Sequence, residues 1–489
     1  MRSMKIANVA SCVSAIVLAS LITATHAAGG VGGGGAAGGG GGAVAGGGGG
    51  AVAGGGAVAG GGGGAAGGGG AVGLALATAA VVSPETQLLA GHPEDHILAL
   101  DSLGTSPQAL SGDTAAFLAN GPGISGTRKV VVYARTPGTA IWNKQAELIP
   151  GALDATGFGS SIGLDGDILV AAVYNPLPVS FDPNIQPSGV YAYHRTQGVW
   201  VAEGRLVGSD AATDTFLYGY SVAVTGNRVL VGATGGIHAN GTLLPDARHG
   251  AVYEFQRTVS ALGAVQWTQT GKLVGGPKGL PDAFGALIAS NGDTLVVGGL
   301  GNALLGGLNT VAVYQRGATG WPAKPTAVLK PADATPLLST ASERHGNGFG
   351  AAVDVSGDTI LVGGSVDVTG GTAFGAAYVF QRTLGVWGQQ AKLTPKSRSN
   401  RDGFARRVSL SGNLALFGYR PDGAAAGLAS LFKRTGASWL ESVIKSPGIP
   451  IEVVDKVDNF ATFARVSGSR VLISQAWATL SREWVYVAQ

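Results

Sequence analysis

Residues 348–365 read GFGAAVDVSGDTILVGGS. The stretch holds no obvious catalytic group, and its meaning comes from recurrence. GFGSSIGLDGDILVAAV begins at Gly157, YGYSVAVTGNRVLVGA at Tyr218 and AFGALIASNGDTLVVGG at Ala283. GFARRVSLSGNLALFGY begins at Gly403 and NFATFARVSGSRVLISQ at Asn459. In all six the leading aromatic stands eight residues before a turn glycine: Phe158/Gly166, Tyr218/Gly226, Phe284/Gly292, Phe349/Gly357, Phe404/Gly412 and Phe460/Gly468. A weaker seventh copy, SLGTSPQALSGDTAAFLANG, lies earlier, with Leu103 in the aromatic's place and the spacing slipped by one.

Each copy continues alike. After a connection of variable length comes a β-rich segment that ends in arginine in the first six copies, at Arg135, Arg195, Arg257, Arg316, Arg382 and Arg434. A tryptophan follows each, at Trp142, Trp200, Trp267, Trp321, Trp387 and Trp439. A last short segment carries Leu148, Leu206, Leu273, Leu329, Leu393 or Ile444. That makes four strand candidates per unit, A to D, separated by turn residues.

Gly-Asp or Gly-Asn between A and B supplies the positive φ that a two-residue hairpin demands. Strand B (TILVGG, RVLVGA, TLVVGG) is continuously apolar, which predicts burial of both faces. Four-stranded antiparallel sheets repeated every ~55–65 residues and covered on both sides fit the radial blades of a β-propeller. The fold class expected is therefore all-β, a seven-bladed propeller. The last unit lacks a D segment, and ETQLLAGHPED, residues 85–95, resembles the D segments EGRLVGSD and QAKLTPKS. A strand from about residues 85–90 is expected to complete that blade.

The Phe-Gly opening and the V-G-A/G after strand B resemble FG-GAP repeats, the units of the integrin α-subunit head, over about residues 85–489. The resemblance implies a seven-bladed extracellular binding platform. Cation-binding members carry an Asp-rich loop between strands A and B. Here that connection is SGDT, DGDI or TGNR, too poor in carboxylates to cage calcium, so no metal and no cofactor is expected.

Three regions follow. Residues 1–27 read as a secretory signal, with Arg2 and Lys5 before an apolar stretch from Val13 to Ile22 and Thr25-His26-Ala27 as the cleavage site. Cys12, the single cysteine, precedes the apolar stretch, which argues against lipidation there. Residues 28–83 form a tether rich in Gly, Ala and Val, whose composition cannot build a core and predicts disorder. A coil of ~45 such residues reaches roughly 35–40 Å. The propeller is assigned to 84–489. An exported protein without disulfides is implied, secreted or held in the cell envelope, with no transmembrane segment after cleavage. Lys and Arg number 32 against 29 Asp and Glu, too balanced to favour nucleic acid.

No catalytic residue stands out. Gly159-Ser160-Ser161-Ile162-Gly163 imitates a nucleophile elbow, but Ser161 falls in strand A rather than at a strand-to-helix turn. GNGFG at 346–350 imitates a dinucleotide loop with no helix after it. His92-Pro93-Glu94-Asp95-His96 looks like a metal cluster, yet Pro93 opposes a helix and alignment places it in a loop between blades. The recurrent Arg and Trp suit a structural role, with Trp covering the blade edge and Arg pinning a turn, more than a sugar site in every blade.

The copies differ most in the B–C and D–A connections, which share one face of a propeller. Variable loops on a rigid scaffold are where binding resides. Candidates on that face are Tyr174, Phe181, Asp182, His238, Asp246, Arg248, His249, Arg344, His345 and Arg420. The expected function is non-enzymatic: a monomeric propeller that binds a protein or cell-envelope glycan ligand as an adhesion or scaffold module. A lectin is one alternative. A carbohydrate-active hydrolase or lyase is another, though Asp165 and Asp354 are the visible acids in strand A and form no evident pair.

Overall fold

The computed structural model describes residues 82–88, 96–97, 107–120, 128–151, 154, 157–173, 188–210, 218–234, 250–275, 284–300, 310–333, 349–369, 372–397, 399, 403–420, 424, 426–447, 459–476 and 481–488. All of them lie in one compact unit, Ala77–Gln489. The expected signal, most of the expected tether and Leu103 lie outside the described residues.

The strands form seven antiparallel sheets, and strand A of every blade lines a common central channel. This is a seven-bladed β-propeller. Blade 2 illustrates the unit: strand A is Phe158–Asp165, B is Ile168–Val173, C is Gly189–Thr196 and D is Val199–Leu206. Every residue of its strand B is buried. The D-strand anchors Leu148, Leu206, Leu273, Leu329, Leu393 and Ile444 are buried in all six blades that have them.

Blade 7 takes three strands from the C-terminal end, Asn459–Ser467, Arg470–Ala476 and Ser481–Ala488. Its fourth, Val82–Leu88, comes from the other end of the chain and pairs antiparallel with Ser481–Ala488, Gln87 facing Trp484. The register shifts between Pro84 and Thr86, where an outer-edge position tolerates a residue without an N–H. In blade 1, strand A is split: His96–Ile97 and Gln108–Ser111 both pair with Thr114–Asn120. His96 is thus a strand residue opposite Asn120, not part of an inter-blade loop. The unpaired edge of a long strand B captured it.

Buried apolar side chains fall into seven clusters, one at each blade-to-blade interface. The repeat motif acts at these interfaces. The leading aromatics Phe158, Tyr218, Phe284, Phe349, Phe404 and Phe460 are all buried. The residue after each has positive φ: Gly159, Gly219, Gly285 and Gly350, then Ala405 at +60° and Ala461 at +62°. This turn aims a carbonyl at the preceding blade, where strand B carries its own glycine. A Cβ on Gly232 would lie 2.0 Å from the Gly285 oxygen, and one on Gly363 would lie 2.1 Å from that of Ala405. Gly418 meets the Ala461 oxygen in the same way. The phenylalanine-glycine of one blade and the V-G-A/G of the last are two halves of a single contact.

A second device runs around the channel. The turn glycines Gly112, Gly166, Gly226, Gly292, Gly357, Gly412 and Gly468 have φ between +53° and +59°. Each donates its N–H to the side chain that ends strand A of the preceding blade: Ser467, Ser111, Asp165, Thr225, Asn291, Ser356 and Ser411, at 2.8–3.0 Å. The bond from Gly112 to Ser467 joins blade 1 to blade 7 and closes the circle.

Three outcomes are expected. Substituting Gly363→Val sets a side chain against the Ala405 carbonyl and costs ~1–3 kcal/mol or more in urea unfolding. Gly388→Ala, with open space around its Cβ position, stays within ~0.5 kcal/mol of the parent. Removing the last six residues deletes most of the third strand of blade 7 and so lowers the melting temperature of the whole ring. An unchanged melt would contradict that closure.

Candidate functional site

The recurrent arginines and tryptophans are engaged within and between blades. The backbone N–H of each arginine donates to the carbonyl of the residue after the turn glycine, at 2.8–2.9 Å, as in Arg195 to Asp167 and Arg434 to Asn413. Ala488 does the same to Ser469 in blade 7, where no arginine stands. The guanidinium groups then reach the preceding blade: Arg195 donates to Thr114 Oγ1 at 2.9 Å and Arg382 to Gln315 Oε1 at 2.6 Å. Arg257 holds Glu203 through both carboxylate oxygens, at 2.7 and 2.5 Å. Burial by itself raises the Glu203 pKa, but hydrogen bonds from Arg257 and Trp267 outweigh it and the carboxyl ends below its ordinary range. Three indoles also donate to the preceding blade, Trp200 to Gln145, Trp267 to Glu203 and Trp439 to Gln390, whereas the buried Nε1 of Trp142 and of Trp321 finds no acceptor among the described residues. Arg195, Arg382 and Arg434 also lie over Trp200, Trp387 and Trp439 at 5.2–5.5 Å.

The connections that vary most in length lie at one end of the ring, although the C–D links at the other end also run from two residues (197–198) to eleven (316–326). All seven A–B turns hold two residues, whereas the B–C connections range from 370–371 in blade 5 to 174–188 in blade 2 and 234–250 in blade 3. Among the candidates, Arg420 is described: it is exposed just beyond strand B of blade 6, Leu414–Tyr419, on that end. Tyr174, Phe181, Asp182, His238, Asp246, Arg248, His249, Arg344 and His345 lie outside the described residues, as does His92. Ser161 is buried in strand A. Among the described residues no group of three His, Cys, Asp or Glu side chains is placed to hold a metal.

The central channel is a second candidate, with a cavity of about 370 Å³ lined by strand A of every blade. Counting back from the turn glycine, the third residue is Ala109, Gly163, Ala223, Ala289, Asp354, Ser409 and Arg465 in blades 1 to 7. The side chains of blades 5 and 6 reach across to the next blade. Asp354 Oδ2 accepts from the Leu410 N–H at 2.7 Å, and Ser409 Oγ from the Val466 N–H at 3.0 Å. Arg465 donates to the carbonyls of Val408 at 3.3 Å and Gln108 at 3.5 Å, spanning blades 6, 7 and 1. Toward the entry end of strand A, the Arg407 guanidinium lies 4.2 Å from the centre of the Phe463 ring and Arg406 is exposed. Sequence reasoning noticed Asp354 but passed over the arginines. Their signal was the unusual pair in GFARRVSL and the single Arg at a position otherwise filled mainly by Ala, Gly or Ser.

Burial pushes the Asp354 carboxyl up to about 6, while the Leu410 N–H, the charge of Arg465 and the Val355 N–H pull against that rise. Burial likewise lowers the Arg465 pKa.

The profile of the FG-GAP repeat matches residues 340–380 and 387–432, which fall on blades 5 and 6. The chain carries FG-GAP repeats. No curated protein sequence matches it significantly. Among solved structures it is similar to the β-propeller domain of the Trilobed protease from Pyrococcus furiosus, with 9% identity, 81% of this chain and 97% of that one covered, and a TM-score of 0.39. The WD40 domain of SCAP from fission yeast gives 10%, 83% and 87%, with a TM-score of 0.41. Pyrococcus horikoshii acylaminoacyl peptidase gives 9%, 80% and 50%, with 0.42. At these scores the likeness carries no functional weight.

Because the Asp354 pKa stands above its ordinary value of ~3.9, the folded state favours the protonated form. The stability this group contributes is full below about pH 4 and is lost as pH rises through about 6. Asp354→Asn is expected to gain on the parent by roughly 1–3 kcal/mol between pH 4 and 8, the lower figure reflecting residual contact with channel water. Urea midpoints of the two proteins across that range check the slope. A constant difference would refute the assignment.

Proposed function

We propose that the chain is an exported, non-enzymatic propeller that binds a protein or cell-envelope partner through the end of the ring bearing the B–C and D–A connections. One observation carries this reading. The longest and most unequal connections, B–C and D–A, lie at that end, while at the other end the A–B turns are uniform and hydrogen-bonded into the ring and the C–D links run from two residues (197–198) to eleven (316–326). A scaffold held rigid by repeated contacts and diversified at one end suits recognition rather than chemistry. The predicted leader and glycine-rich tether fit a platform displayed outside the cytoplasm.

A lectin with one sugar site per blade is less well supported, because the recurrent Arg and Trp side chains are engaged with neighbouring strands and blades.

The test is binding of the purified chain to a glycan array and to cell-envelope extract, each with and without chelator. A protein partner captured regardless of chelator is expected. Arg420→Ala, and replacement of residues 174–188 by a two-residue turn, should weaken its capture at unchanged melting temperature. Glycan binding would instead favour the lectin, and consumption of intact glycan would favour an enzyme. Capture unaffected by both changes would move the site off this end of the ring.

A further inference from the structure

We infer that the end of the ring bearing the A–B turns and C–D links rests on a neutral phospholipid bilayer, with Leu262, Leu384 and Val386 at its hairpin tips entering the headgroup layer.

The argument begins with charge. Between the arginine that ends strand C and the tryptophan of strand D, the links read TPGTAI (136–141), TQGV (196–199), TVSALGAVQ (258–266), GATG (317–320), TLGV (383–386) and TGAS (435–438). None of them holds a charged residue. Lys324 comes later in the blade 4 link, beyond Trp321. The acids at this end belong to the A–B turns, and each is engaged. Asp113 meets Arg135 and Arg470, Asp167 meets Arg195, Asp293 meets Arg228 and Asp358 meets Arg382, while Asp165 accepts from the Gly226 N–H. Surfaces that face water alone ordinarily intersperse charges of both signs.

Aliphatic side chains stand where charges would be expected. Leu384 is 100% exposed and Leu262 97%, and Ile141, Val199, Val259 and Val386 are exposed beside the same turns. Leu384 also has a φ of +49° in a two-residue hairpin turn, where Asn, Asp or Gly fits with less strain. A side chain fully open to water offsets none of that strain, so a leucine here marks a contact outside the chain. In blade 3 the hairpin pairs on to Val259 and Val265, one rung further past the Arg–Trp pair than in blade 2, and so carries Leu262 outward.

The distribution of these tips selects the partner. They belong to blades 1, 2, 3 and 5 and are spread around the perimeter, where a flat surface meets them together and a compact protein would cover one sector. The chain also enters the ring at this end: Val82 pairs with Ala488, whose N–H bonds the Ser469 carbonyl beside the turn glycine Gly468. Residues 28–81, which lead to that point, carry no charge. An uncharged aliphatic rim continuous with an uncharged segment suits the boundary between headgroups and acyl chains, and offers nothing to an acidic or basic partner. So seated, the ring turns its B–C and D–A end away from the bilayer. The inference does not rest on what that opposite end binds.

Vesicle flotation and hydrogen exchange on the full chain, with phosphatidylcholine vesicles, test the assignment. Binding is expected at low and high salt alike, changing less than about twofold when anionic lipid is added. Amides of 260–264 and 383–386 should exchange more slowly on vesicles, and those of Tyr419 and Arg420 at the opposite end should not. Leu384→Asn, which suits the turn and keeps the fold, and Leu262→Asn should each weaken binding about fivefold. The two together should abolish it, whereas Leu384→Phe retains it. The proposal is overturned if vesicles leave the tip amides unchanged, if the double variant binds as well as the parent, or if binding requires anionic lipid. Dimers that the double variant abolishes, without vesicle binding, would overturn it in favour of an interface between copies.

Discussion

The strand B sheets are apolar on both faces, and that condition organises everything else in the ring. Leu169, Val170 and Ala171 of blade 2, or Val296 and Val297 of blade 4, have essentially no accessible surface. A single blade would leave one or both faces to water, at roughly 25 cal/mol for each Å² of apolar surface. The stable solution is to stack blades until each covers the next, and then to join the last to the first. Closure is part of burial here, since an open end would expose an apolar sheet face.

Closing a ring from unequal copies requires contacts that hold the angle between neighbours constant. Two serve this purpose. The glycine-to-carbonyl contact sets how near two blades approach at the end where strand A begins. The N–H of each turn glycine, bonded to the previous blade's Ser, Thr, Asn or Asp, sets the spacing at the other end. Ala405 and Ala461 show the strength of the first constraint. Both adopt a left-handed backbone that an L-residue enters at a cost of ~1–2 kcal/mol, yet the carbonyl still points at Gly363 or Gly418. The backbone path is kept even where the glycine that would ease it is gone.

Against so regular a frame, irregularity is informative. The ring devices take up the recurring Ser, Arg, Trp and Gly, leaving two departures: connections whose lengths differ most at one end, and arginines in the channel wall of blades 6 and 7. Both open toward the same end of the ring. Both features lie at positions that can vary without altering the repeated contacts.

Much of this was legible in the chain itself, because the information is local and repeated. The spacing of aromatic to turn glycine gave six hairpins, and the continuous apolar runs of strand B implied burial on both faces. An Arg-then-Trp order in each copy marked the C–D edge. The copy number and the missing last D segment pointed to a ring closed by a strand near residue 85, and the pairing begins at Val82. What a one-dimensional reading could not supply was which positions meet across blades. That Gly363 touches the Ala405 carbonyl, that Arg257 holds Glu203, and that His96 pairs with Asn120 all depend on inter-blade or inter-strand geometry. The channel is the clearest case. Asp354 and Arg465 are more than a hundred residues apart and appear as unrelated charges in the sequence, and only the radial convergence of seven strands brings them to one cavity, where desolvation gives each its altered ionisation.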